Sequence, residues 1–162
     1  MSLLLNTTYA KADALPEFRL KAAFIYNFIA YTEWPNGIGS DINLCVYGEN
    51  SFGHEISALD GRNVNDHLIK IQNKNHIEDL LDCQVIFIAD SVIENLPSIL
   101  GSLDTRPILT IADSKNAANE GVALNMGIAK NKIIFEANLK AARRAGLTLS
   151  ARLLRLATKV YQ

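Results

Sequence analysis

Val85-Ile86-Phe87-Ile88-Ala89 is an unbroken apolar run, and Asp90-Ser91 follows it directly. A run this short suits a strand, and its lack of alternation means that both faces are covered. Residues 42–47 and 68–71 read the same way upstream. Downstream, residues 108–112 repeat the pattern and end on Asp113-Ser114, so Ile-Ala-Asp-Ser occurs twice. Between these runs lie helical pieces: residues 52–59 form a short helix, 77–81 a helical turn, and 92–103 a helix that Pro97 shortens or kinks. Strands apolar on both sides that alternate with helices build a mostly parallel α/β sheet with helices on both faces.

The flanks extend this pattern. Pro16 suits the first turn of a helix, where its missing N–H costs nothing. Leu20, Phe24, Phe28 and Tyr31 then recur at helical spacing as one apolar face, until Pro35 disfavours helical geometry at Trp34. Residues 36–40 are a turn-rich connector. After Asp113, Val122, Leu124, Met126 and Ile128 alternate with smaller or polar residues, Lys130-Asn131 offers a turn, and 133–137 returns as a strand. This hairpin makes the sheet mixed. Asn138 is placed to cap the next helix and Gly146 to end it. The last segment reads as one amphipathic helix, with Leu149, Leu153, Leu156 and Val160 on one side and Arg152, Arg155 and Lys159 on the other. Core packing is the expected role of Leu153 and Leu156.

The chain has 162 residues. At roughly 100–200 residues per domain this predicts a single domain, here over 13–162. Residues 1–12 read as a signal-peptide tail, because Ala10-Lys11-Ala12 follows an apolar start and presents small residues where a signal peptidase requires them. The competing reading is an ordinary polar terminus. Asn6-Thr7-Thr8 matches a glycosylation sequon within the same tail. The longest apolar stretch, residues 22–31, is interrupted by Asn27 and falls well short of the roughly 20 residues that span a bilayer. Basic and acidic residues nearly balance, 16 against 17, so no global field favours nucleic acid. Locally the balance breaks: residues 130–162 carry eight basic side chains and one acidic, while 1–129 carry eight basic and sixteen acidic. A positive surface of that kind either docks an acidic partner or is neutralised by the acidic body of its own domain.

Catalytic signatures are missing. Gly48-Glu49-Asn50-Ser51-Phe52-Gly53 has the glycine spacing of a phosphate loop, but His54-Glu55 stand where Lys and Ser/Thr would be needed. His54, His67 and His76 show no ligand spacing, and no Gly-x-Ser-x-Gly elbow occurs. No catalytic residue, metal or cofactor is expected. Asp90 and Asp113 stand at strand ends, where they serve either as helix caps or as the working carboxylates of a small-ligand receptor or enzyme. Capping is the preferred reading. The two cysteines, Cys45 and Cys83, are too far apart in sequence for metal-ligand spacing. They are either one disulfide, contributing about 4 kcal/mol by the chain-entropy model, or two buried thiols, depending on the compartment.

Several stretches together resemble the YfiR family of bacterial periplasmic proteins. They are Lys21-Ala22-Ala23-Phe24-Ile25-Tyr26-Asn27-Phe28 with Glu33-Trp34-Pro35; Leu44-Cys45-Val46-Tyr47-Gly48 with Leu59-Asp60-Gly61-Arg62; and Cys83-Gln84-Val85-Ile86-Phe87-Ile88. The most specific runs from Phe135-Glu136-Ala137-Asn138-Leu139 through Ala141-Ala142-Arg143-Arg144-Ala145-Gly146-Leu147 to Leu153-Leu154-Arg155-Leu156-Ala157.

The resemblance implies a Rossmann-like three-layer sandwich, export to the periplasm, no catalysis and a tendency to form homodimers. It also implies repression of an inner-membrane diguanylate cyclase through that enzyme's periplasmic sensor segment, which lowers cyclic-di-GMP and biofilm formation. Cys45 and Cys83 match the positions of a family disulfide, while a second cysteine pair found in some members is missing here. Asn138, Arg143, Arg144 and Arg152 are the expected polar contacts to a partner. Trp34 is either an interface anchor or a lid over the helix–sheet core.

Overall fold

The computed structural model describes residues 14–162, so the expected signal tail and its sequon lie outside the described residues. The architecture is a mixed eight-stranded sheet with helices on both faces, plus a separate two-stranded ribbon. The long N-terminal helix α1 (Ala14–Ala30) leads into β1 (Thr32–Glu33) and then into β2 (Asp41–Tyr47). Next come α2 (His54–Ser57), β3 (Asn63–Val64) and β4 (His67–Lys74). A 3-10 turn, Ile77–Asp82, precedes β5 (Val85–Ile88), and a second, Asp90–Asn95, runs into α3 (Leu96–Leu103). The chain closes with β6 (Leu109–Ala112), β7 (Leu124–Ala129), β8 (Lys132–Asn138), α4 (Leu139–Arg144), β9 (Thr148–Leu149), α5 (Ala151–Leu156) and β10 (Lys159–Tyr161).

The large sheet is ordered β10-β8-β7-β6-β5-β2-β4-β3. β4, β2, β5, β6 and β7 run parallel, which is the doubly wound order whose winding reverses between β2 and β5. All side chains of β5 and β6 are buried, as their apolar runs require. Val85 and Phe87 pack with α1 residues Ile25 and Phe28, while Ile86 and Ile88 pack with α3 residues Leu96 and Ile99. β7 and β8 form the expected antiparallel hairpin. Lys130 and Asn131 carry it at φ 50° and 62°, the left-handed pair of a type I′ turn. Pro97 stands at the start of α3, so the expected single helix over 92–103 divides into a 3-10 turn and a short α-helix.

Two expectations are corrected. Residues 149–160 do not form one helix. Ser150 caps α5 by accepting the Leu153 N–H, and Ala157 turns extended after one and a half turns. Thr158 then donates its N–H and its hydroxyl to the Phe135 carbonyl, which launches β10 parallel to β8. Val160 is therefore a strand residue, and Leu156 is 67% exposed instead of packed in the core. Leu153 alone of that pair is buried.

The buried face of α1 also differs from the expected Leu20, Phe24, Phe28, Tyr31 stripe. Lys21, Ala22, Ile25, Phe28 and Ile29 face inward, whereas Leu20 is exposed. Lys21 is drawn in because Asp113, at the end of β6, meets its Nζ at 2.9 Å. Pairing removes most of the penalty for withdrawing an ammonium from water.

Candidate functional site

The short ribbon assembles the first part of the site. β1 pairs antiparallel with β9, joining the end of α1 to the segment after α4. Ser150 N–H adds a bond to the Tyr31 carbonyl at 3.0 Å. Gly146, at φ 74°, ends α4 and sits against Pro35, whose Cγ would be 3.3 Å from a Cβ at that position. A left-handed residue with a neighbour that close favours glycine, which explains why the helix breaks there. Arg152, on α5, stands 5.9 Å from the centre of the Tyr31 ring.

Trp34 lies next to this ribbon and is half-buried. It lines a cavity of about 580 Å³, together with Glu33, Asn65 and His67. Its indole Nε1 is buried and has no hydrogen-bond partner, alone among the buried side-chain nitrogens and oxygens of the described residues. A buried donor left unpaired costs roughly 1–3 kcal/mol, so such a group calls for an explanation. The neighbouring polar side chains are engaged elsewhere: Asn65 donates to the Ala30 carbonyl, and His67 Nδ1 lies 2.7 Å from the Gly39 carbonyl oxygen.

The remaining expected contacts sit at α4. Asn138 caps the helix by accepting the Ala141 N–H at 2.9 Å, and its amide donates to the Ala118 carbonyl at 2.7 Å. It is 8% exposed, so it sets the position of α4 from within. Arg143 and Arg144 occupy the last turn, where cations suit the helix dipole, and both are exposed. Arg144 reaches Asp104 at 3.3 Å in an exposed pair that contributes little to stability. The fold thus groups Trp34, Tyr31 and Arg152 around the ribbon, with Arg143 and Arg144 on the helix that leads into it.

Asp90 and Asp113 do not cap helices. Asp90 accepts the Ser114 hydroxyl at 2.7 Å, and Ser114 is in turn held by the Asn125 amide through its own N–H and carbonyl. Asp113 accepts from Lys21, which also meets Glu17 at 3.3 Å. Asp90 therefore cross-links the ends of β5 and β6, and Asp113 ties the end of β6 to α1. Lys21 is the residue that sequence reasoning missed; its one signal was a cation directly before the apolar run 22–31. Cys45 and Cys83 are bonded to each other and buried, joining β2 to the segment that enters β5. Among the described residues no group of His, Cys, Asp or Glu is arranged to hold a metal ion, and no helix is long and apolar enough to cross a membrane.

Comparison with known proteins adds three findings. A family model described as YfiR/HmsC-like matches residues 18–158. No curated protein matches the sequence. Among solved structures, a conserved domain protein from Vibrio cholerae is similar at 9% identity with a TM-score of 0.57. An ABC domain in complex with L-Trp from Streptococcus pneumoniae is similar at 8% identity with a TM-score of 0.56. Each alignment covers 88% of this chain but only 60% of the other. At such identities the likeness concerns the α/β fold alone.

Proposed function

The chain belongs to the YfiR/HmsC-like family, and from that premise we propose that it is a periplasmic, non-catalytic regulator of an inner-membrane diguanylate cyclase. It binds the periplasmic sensor segment of that enzyme and holds it in its inactive state. The observation that carries this reading is the unpartnered Trp34 Nε1 beside an open cavity. A buried donor without an acceptor is a poor feature for a finished core; because the half-buried Trp34 lines an open cavity, reorientation of its indole on binding would bring Nε1 to a partner's carbonyl or carboxylate. Arg152, beside Tyr31, and Arg143 and Arg144, exposed on the helix that leads into the ribbon, add positive charge to the same end of the chain's C-terminal segment, which suits an acidic sensor segment and speeds encounter. Asn138 contributes by fixing the helix that presents two of these arginines.

Regulation of this kind needs no chemistry. A repressor shifts a two-state enzyme only by its difference in affinity for the two states, and moving a population from 1:99 to 99:1 takes about 5.5 kcal/mol. The β1–β9 ribbon and the Asn138 cap hold the segments that carry Trp34 and the arginines, so little of that difference is lost to ordering. Pairing of two copies belongs to the same reading.

The test is reconstitution. A membrane diguanylate cyclase encoded beside this chain is assayed in proteoliposomes, with the protein added on the sensor side. Repression that saturates with protein is expected. Trp34→Phe should raise the half-maximal concentration about tenfold, the worth of one buried hydrogen bond to a charged group. A cyclase rate indifferent to the protein at every concentration would overturn the proposal.

A further inference from the structure

A second cavity, of about 450 Å³, opens between α3 and α4 on the sheet face opposite α1. Its origin is local. β6 and β7 pair only at Ile111–Leu124 and Ala112–Asn125, and the strands part on the N-terminal side of that register. There the Thr110 hydroxyl, at 2.9 Å, takes the Ala123 N–H that a carbonyl would otherwise accept. The floor is thus made of two small side chains, Thr110 and Ala123, which cannot fill the gap between the helices.

Gly101 lines the same cavity from α3. Glycine inside a helix is unfavourable relative to alanine, so a reason is needed for it. Close packing is not that reason, because a Cβ at Gly101 would meet no atom within 4 Å, and no left-handed φ requires glycine there. What its missing side chain does is leave the mouth unobstructed. Ala141 lines the opposite wall, also with little bulk.

The charges around the cavity are unequal in their commitments. Three cations, Arg106, Lys140 and Arg144, and two carboxylates, Asp104 and Glu120, line it. Arg144 is paired with Asp104, whereas Glu120 accepts only a long bond from the neutral Asn116 amide, so the unpaired charges at the cavity are two cations against one carboxylate. Among the described residues Arg106 and Lys140 form no ion pair. Apolar walls with two uncommitted cations are the features that hold a small anion by its body and its charge.

We propose that this cavity is a binding site for a small organic carboxylate with an apolar body, its charge met by Arg106 and Lys140. The site is separate from the Trp34 cavity and stands whether or not a cyclase is the partner. Isothermal titration of the full chain with benzoate and with hexanoate tests it, with benzyl alcohol and inorganic phosphate as controls. At least one carboxylate should bind saturably at one per chain, with the alcohol and phosphate at least about tenfold weaker. The double variant Arg106→Gln/Lys140→Gln should weaken the acid by about tenfold or more. Gly101→Leu and Ala141→Leu fill the cavity from opposite walls, and Leu is a better helix former than Gly, so Gly101→Leu should bind no ligand without a lower melting temperature. Failure of both acids to bind, binding that survives both filling variants, or phosphate binding as well as the acids would each overturn the proposal.

Discussion

Replacing Lys21 with methionine removes one charge and leaves two carboxylates facing a site built for it. Lys21 Nζ lies 2.9 Å from Asp113 and 3.3 Å from Glu17, and the three side chains are 7%, 13% and 26% exposed. Breaking a fully buried ion pair costs about 3–5 kcal/mol, because the remaining charge stays desolvated. Asp113 keeps a little water and Glu17 more, so the lower end applies and Lys21→Met should cost about 3 kcal/mol. At about 2–4 °C per kcal/mol for a chain of this size, the melting temperature should fall by about 6–12 °C. Asp113→Asn leaves the ammonium with Glu17 only and should cost about 2 kcal/mol. The double variant Lys21→Met/Asp113→Asn removes both charges and should lie within about 1 kcal/mol of the parent, a coupling of about 4 kcal/mol. Urea unfolding followed by the fluorescence of Trp34, the single tryptophan, reads all of these. The reasoning is refuted if Lys21→Met shifts stability by less than about 1 kcal/mol, or if the double variant costs the sum of the singles.

The other predictions concern the frame around the site. Changing both Cys45 and Cys83 to alanine opens a 38-residue loop, which should cost at most about 4 kcal/mol in urea unfolding, with addition of reductant to the parent giving a similar loss. Gly48→Ala places a Cβ 2.8 Å from Ser91 Oγ at a backbone φ of 97°; the clash also displaces the hydroxyl that accepts the Glu49 N–H, and thermal unfolding should report a loss of about 2 kcal/mol or more. Asn138→Ala removes both the α4 cap and the donor to Ala118, costing about 2 kcal/mol, with faster amide exchange at Ala141 as the local signature.

The amino-acid sequence by itself determined the sheet and most of its helices. Strands β2, β5 and β6 are legible because two covered faces require unbroken apolar runs, and that demand is local. The β7–β8 turn and the Asn138 cap are legible for the same reason, since their chemistry involves residues within a few positions of one another. Tertiary structure decided whatever depended on distant partners. Lys21 points inward because Asp113, 92 residues away, is there to receive it. Residues after Gly146 read as one helix by periodicity, yet β1 and β8 offer edges that capture Thr148–Leu149 and Lys159–Tyr161, and sheet pairing with those strands overrides a propensity of a few tenths of a kcal/mol per residue. The Trp34 cavity and the gap between α3 and α4 belong to the same class. An empty space is bounded by several elements at once, and no single stretch of sequence encodes what its neighbours fail to fill.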